Sequence, residues 1–282
     1  MAYFLIIVSV FASLVEGVFI KKYNSRHLHG GFIFTSIVSL FSMLYFLISN
    51  KFAFEFSSEL LPYAVISGLL FCMASVLTYV ALTCGSFSMS MLILSYSIVF
   101  PIVYGVVFTK EPITLFSLIG FVLLAISLFL TRGQKVGGSF SVKWIVCILL
   151  SFVGSGMFSV VRRMQQLRFD DAYNNEFMII TLGISAFVLL ITGIVVDGKY
   201  LKEILKYGFP YAAFAGFSNG IANMLSIVVN TFIPISLSSP LSSGVKILIS
   251  FIVSSVLFKE KYLPRQVAGV AVGALALVFL NI

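Results

Sequence analysis

Apolar residues run in long blocks in this chain rather than alternating with polar ones. Each block could cross a hydrocarbon core of about 30 Å, which takes about 20 helical residues. The blocks lie near Tyr3–Ile20, Phe32–Ser49, Pro62–Thr83, Phe87–Phe108, Ile113–Thr131, Lys143–Val161, Asn174–Val196, Phe209–Val229, Pro234–Leu257 and Pro264–Ile282. Ten transmembrane helices are therefore expected, with breaks too short to hold a soluble domain. Of the 18 Lys and Arg and 10 Asp and Glu residues, all but Glu16 and Lys246 lie in or near those breaks. A charge inside a span costs about 2.5–3.5 kcal/mol to insert. These two opposite charges are expected to form either a buried pair or a two-point grip on a substrate.

Polar residues inside the spans follow the helical repeat. Asn219, Asn223, Ser226 and Asn230 recur at intervals of 4, 3 and 4, which is one helix face. The ninth span repeats the pattern with Ser239, Ser243, Lys246 and Ser250. The sixth does so with Ser151, Ser155, Ser159 and Arg162, and the first with Ser9, Ser13 and Glu16. The third offers Ser75, Thr78 and Tyr79, and the fourth Ser90, Ser97, Pro101 and Tyr104. The fifth and tenth carry little beyond Ser117, Ser127 and Gln266. Spans 1, 3, 4, 6, 8 and 9 are thus polar-faced, and spans 5 and 10 face lipid or a partner. A serine in such a stripe often only permits close packing. An asparagine brings several hydrogen-bonding groups, and the bilayer leaves none unpaired without penalty.

Composition agrees with the pattern. The 282 residues are 60% hydrophobic and 10% charged, with mean hydropathy +1.11, whereas soluble domains run near a quarter charged. The net charge of +8 sits in the breaks and forms no patch for nucleic acid. Cys72, Cys84 and Cys147 lack metal-ligand spacing and read as small core residues. No HExxH, GxSxG or paired-aspartate pattern occurs, and His27 and His29 lie in the first break. No enzyme activity, cofactor or metal is expected. Residues 1–20 lack a basic leader and contain Glu16, so they read as a retained helix rather than a signal peptide.

The two sets of five spans resemble each other. Lys110-Glu111 precedes Gly120 by nine residues from the Glu, and Lys259-Glu260 precedes Gly269 likewise. Gly68 matches Gly216, and Glu16-Gly17-Val18-Phe19 matches Ser155-Gly156-Met157-Phe158. A duplicated unit of five spans must cross in opposite senses, giving inverted repeats over residues 1–132 and 133–282 with a site near the midplane. A central proline (Pro101), then Glu111, then Gly120, closing a five-helix half, resembles the EamA-type drug/metabolite transporter superfamily over the whole chain. One departure is Ser250, where Pro101 would map. The resemblance implies a ten-helix secondary transporter working by alternating access without ATP hydrolysis. It also implies that the last helix of each half is peripheral and able to serve a homodimer.

The candidate substrate-binding residues are Glu16, Tyr79, Ser97, Ser155, Asn219, Asn223, Ser243 and Lys246. Glu16 could bind an ammonium, load and release a proton, or neutralise Lys246. One acid and one base match a zwitterion, so the first expectation is export of an amino acid or similar small polar metabolite. The second is a carrier of organic anions or phosphorylated metabolites. The spacing of Lys246 from Glu260 and the Tyr173-Asn174-Asn175 element resemble the sugar-phosphate and nucleotide-sugar branch of the superfamily. Position 247 is Ile rather than a second basic residue, and Tyr173-Asn174-Asn175 also fits an ordinary helix start. The third expectation, a non-transporting membrane subunit, needs no polar midplane.

Orientation signals oppose each other. The breaks after spans 1, 5, 7 and 9 hold 12 basic residues against 5 on the other side. The positive-inside rule then puts both termini outside, whereas the superfamily resemblance puts both inside. Short loops and no targeting extension point to a bacterial plasma membrane.

Overall fold

The computed structural model describes residues 2–25, 30–55, 57–108, 115–131, 141–232, 235–259 and 263–279. Lys110, Glu111, Glu260 and the two histidines lie outside the described residues. The protein is helical, with no strand among the described residues. Its helices are α1 (Ala2–Asn24), α2 (Gly31–Ser49), α3 (Leu61–Cys84), α4 (Phe87–Ser95), α5 (Val99–Phe108), α6 (Leu115–Thr131), α7 (Val142–Arg168), α8 (Asn174–Asp197), the single turn α9 (Leu201–Glu203), α10 (Phe209–Phe232), α11 (Ile235–Leu257) and α12 (Pro264–Phe279). Six helical segments are long and apolar enough to cross a membrane, the last of them running from Asn174 to Val229. Large apolar side chains cover the exterior, Val195 and Phe187 of α8 and Val122 of α6 among them. Water-soluble proteins rarely expose such continuous apolar surface; a bilayer solvates it.

Three local features differ from the simple reading of blocks. The fourth block is two helices, because a 3₁₀ turn at Tyr96–Ile98 separates α4 from α5. Pro101 has no N–H for the carbonyl of Ser97 one turn back, and its ring crowds that carbonyl, so an unbroken helix is disfavoured there. The sixth block continues past Val161 to Arg168, which places Arg162 and Arg163 inside a helix. The first block extends to Asn24, with Lys21 and Lys22 in its last turn, where basic charge suits the helix dipole.

Serine side chains set the starts of α4 and α7. Ser86 accepts from Met89 N and Ser141 from Trp144 N, capping donors that the helix leaves free. The Trp144 indole then donates to Ser90 Oγ at 3.0 Å, tying the first turn of α7 to α4.

Lipid gives helices no hydrophobic reason to associate, so close contacts and inter-helix hydrogen bonds carry the packing. Helix α2 packs against α8 and α10, α1 against α10, α3 against α7 and α8, α4 against α11, and α6 against α12. A serine stripe on α2 joins three helices. Ser36 donates to Ala186 O of α8 at 2.8 Å, Ser39 meets Ser185 at 3.4 Å, and Ser42 donates to Gly216 O of α10 at 2.8 Å. Ser127 of α6 donates to Gly269 O of α12 at 2.6 Å and meets the Tyr96 hydroxyl at 2.5 Å.

Candidate functional site

A cavity of about 370 Å³ lies between α1, α2, α3, α4, α5, α7, α10 and α11. None of the described residues of α6, α8 or α12 lines it. The polar stripes of spans 1, 3, 4, 6, 8 and 9 therefore share one space, and spans 5 and 10 stand away from it.

Of the eight residues singled out in the sequence, seven line this cavity: Glu16, Ser97, Ser155, Asn219, Asn223, Ser243 and Lys246. Ser97 comes from the turn that Pro101 enforces, and Pro101 itself lines the wall. Tyr79 is the exception. It is buried against Phe34, ring centroids 5.4 Å apart, and its carbonyl accepts from Asn24 Nδ2 at 3.1 Å. Adjacent helical positions point about 100° apart, and on this turn it is Thr78 that faces the cavity. Ser239 and Asn230 of the same stripes have side chains outside the described set.

Glu16 is held by a relay. Asn219 Nδ2 donates to Glu16 Oε2 at 3.0 Å, while Asn219 Oδ1 accepts from Ser42 Oγ at 3.0 Å and from Asn223 Nδ2 at 3.1 Å. The two acceptor contacts leave the Asn219 amide group one orientation in which its N–H points at the carboxylate. Lys246 shares the cavity but forms no salt bridge with Glu16 among the described residues. The closed ion pair that was one expectation for these two residues is thus absent there.

Sequence reading missed two elements of the lining. Arg162, with Arg163 and Gln166, brings basic and amide groups to the cavity from the C-terminal half of α7. Arg162 already fell on the stripe Ser151, Ser155, Ser159 but was not among the candidate substrate-binding residues. Thr35 and Val38 bring α2 into the wall. The spacing of Thr35, Ser36, Ser39 and Ser42 was the available signal.

A layer of rings lies beside one part of the cavity lining. Ile20, Thr35, Thr78 and Met91 line the cavity there, and within one turn of them along the chain stand Tyr23, Phe34, Tyr79 and Phe87. Tyr23 stacks on Phe34 at 4.7 Å, and Phe87 meets Phe258 at 5.3 Å. Lys21 Nζ lies 4.9 Å from the Phe258 ring centre and donates to Gly85 O at 3.3 Å. Elsewhere in the wall the α7 lining continues to Gln166, in the last turn of that helix.

Tyr173-Asn174-Asn175 does not reach the cavity. Asn175 Nδ2 donates to Asn50 Oδ1 at 3.0 Å, Asn50 Nδ2 donates to Glu176 Oε1 at 3.0 Å, and Asn174 Nδ2 donates to Asp171 O at 2.8 Å. Asn175 and Glu176 join the start of α8 to Asn50 at the end of α2, while the N-cap residue Tyr173 is left-handed and makes no side-chain capping bond. The three cysteines are unpaired, and the described residues contain no cluster of metal-ligating side chains.

No protein-family model and no curated protein matches the chain. Solved structures do share its shape. One, described only as the crystal structure of a protein, superposes with a TM-score of 0.62 over 97% of this chain and 95% of its own, at 12% identity. At that identity the likeness extends to the fold alone.

Proposed function

We propose that the chain is a secondary transporter that moves a small polar metabolite through this cavity by alternating access. The observation that carries the reading is a polar, charged cavity walled by helices from both halves, inside a molecule with an apolar exterior. A scaffold subunit would have no use for charges whose insertion into a bilayer is unfavourable. The Lys-Glu/Gly pattern and its likeness to EamA-type transporters point the same way.

In this reading ten helices cross the membrane as two inverted repeats of five, each with its last helix, α6 or α12, at the periphery. The helix pairings support it. Exchanging the halves turns the α1–α10 contact into α7–α3 and the α10–α2 contact into α3–α8, while α2–α8, α4–α11 and α6–α12 map onto themselves. The matched glycines behave alike as well. Gly216 lies close under the backbone of α2 at Val38, and Gly68 under that of α8 at Thr181.

A cavity with one acid and several bases suits two cargo classes, a zwitterion such as an amino acid and an organic anion or phosphorylated metabolite. Uptake of a pooled metabolite panel into proteoliposomes tests the reading. Saturable accumulation of at least one compound, lost on Glu16→Gln or Lys246→Gln, is expected. Failure of every compound to enter or exchange would leave the scaffold reading in its place.

A further inference from the structure

The charges around the cavity bear on its cargo, given that the cavity is the transport path. Arg162 of α7 and Lys246 of α11 both line it. Among the described residues neither has a hydrogen bond or a carboxylate within the 4.0 Å of a salt bridge. Arg162 sits 5.8 Å from the Phe158 ring centre. That contact uses its charge rather than its five N–H donors. Glu16 is the carboxylate of the described lining, and Asn219 already holds it. Arg163 lines the same wall, but the argument needs only Arg162 and Lys246.

Two cations against one engaged carboxylate leave the cavity with a positive excess. Lys246 feels the Glu16 carboxylate electrostatically beyond salt-bridge distance. That single acid answers at most one of the two cations, and a cation drawn away from water without a counter-charge is costly unless something anionic meets it. An ammonium entering the cavity would face that same excess. A zwitterion could set its ammonium against the second Glu16 oxygen, Oε1, but its net charge of zero would leave the positive excess of the cavity in place.

We infer that the cavity takes an organic anion, with Arg162 and Lys246 meeting its carboxylate or phosphate groups from two different helices. Glu16 is then no part of the grip on the cargo. Arg162 offers a planar fork that fits two oxygens at once, and Lys246 offers a mobile point charge.

Two measurements test this, the first without any ligand. Cys72, Cys84 and Cys147 are replaced by alanine, and Ser226, a lining residue of α10, becomes the reporter as Ser226→Cys. With each rate divided by that reagent's rate on a free thiol in solution, a sulfonate-bearing methanethiosulfonate should then react at least about fivefold faster than its trimethylammonium counterpart. Arg162→Gln or Lys246→Gln should shrink that ratio, and Arg162→Lys should restore it. The second measurement compares three four-carbon probes on purified full-length protein by ligand-induced thermal shift: succinate, 4-aminobutyrate and putrescine. Succinate should bind best, and Lys246→Gln should weaken it about 10- to 150-fold. Arg162→Lys should lower succinate affinity although it keeps the charge.

A reagent ratio at or below one overturns the inference. So does binding of 4-aminobutyrate or putrescine as tight as that of succinate, and so does the absence of binding by all three. If the order of binding holds while no compound crosses proteoliposomes, the anion site stands and the transport reading alone fails.

Discussion

Asn219 and Glu16, 203 positions apart in the chain, meet through a 3.0 Å hydrogen bond in the wall of the central cavity. The contact joins α1 to α10, one helix from each proposed repeat. Asn219 is itself set by Ser42 of α2, so three helices determine where the carboxylate points. Any movement of the halves that carries α1 away from α10 must break this bond or take all three helices along.

Asn219→Ala should therefore weaken both stability and transport. It removes the donor to a charged group, a loss of about 1.5–3 kcal/mol, and leaves Ser42 and Asn223 without their shared acceptor. Ser42→Ala removes a hydroxyl whose single proton is shared between Gly216 O and Asn219 Oδ1, a neutral inter-helix contact near the membrane average of about 0.6 kcal/mol. Its carbonyl partner, Gly216 O, belongs to α10 and keeps its helical bond. Thermal unfolding of the purified variants should rank Asn219→Ala well below Ser42→Ala. Equal melting temperatures for the two would mean that the relay does not stabilise the fold.

Glu16→Gln separates proton coupling from substrate contact. The amide keeps the shape of the carboxylate and can still accept from Asn219, but it cannot carry a proton between the two sides. Uptake driven by a pH gradient should be abolished, while counterflow exchange, which needs no net proton movement, should persist. Equal loss of both activities would show that Glu16 touches the cargo instead, and unchanged activity in both would remove it from the mechanism.

The cavity was legible in the sequence wherever a polar stripe repeated at helical spacing within an apolar block. Asn219, Asn223, Ser155 and Lys246 announce themselves in that way. Arg162 falls on such a stripe, after Ser151, Ser155 and Ser159, yet is no candidate contact there, because a charge at the end of an apolar block looks the same whether it reaches headgroups or bends back into a cavity. The α2 serines were hidden for another reason: they satisfy neighbouring helices, and only Thr35 of that run reaches the cavity. Tyr79 was misplaced because Thr78 and Tyr79 are neighbours, and periodicity over three residues cannot say which of them faces inward. The Lys110-Glu111 and Glu260 positions that carried the family resemblance lie outside the described residues.

Close helix packing predicts a ranking among glycines. A Cβ on Gly216 would stand 2.5 Å from the carbonyl oxygen of Val38, a backbone atom that cannot swing aside. One on Gly68 would meet Thr181 O and the Ile184 side chain at 3.0 Å. Gly198 has nothing within 4 Å of such a Cβ and a φ of −53° that any residue adopts. Gly216→Ala should then be destabilised by about 1–3 kcal/mol and Gly68→Ala by less. Gly198→Ala should be neutral or stabilised by a few tenths. Thermal unfolding in one detergent checks the order. A Gly216→Ala variant as stable as the parent would show that α2 and α10 pack less tightly than described.

The ring layer beyond Thr78 predicts a seal rather than a binding site. Tyr79 bridges Phe34 and, through its carbonyl, Asn24, so the ends of α1, α2 and α3 are fastened together. Opening a path past Thr78 requires these contacts to part. Tyr79→Ala removes the ring without touching a lining residue, so binding at the cavity should stay near the parent's. Tyr79→Phe keeps the stacking face and should keep the seal. With Ser226→Cys as reporter in a background lacking the native cysteines, a membrane-impermeant thiol reagent applied from the Asn24 side should label the Tyr79→Ala variant several times faster than the parent. Vesicles of both orientations identify that side. Unchanged labelling from either face, together with weakened binding, would return Tyr79 to the substrate contacts and place the closed end of the cavity elsewhere.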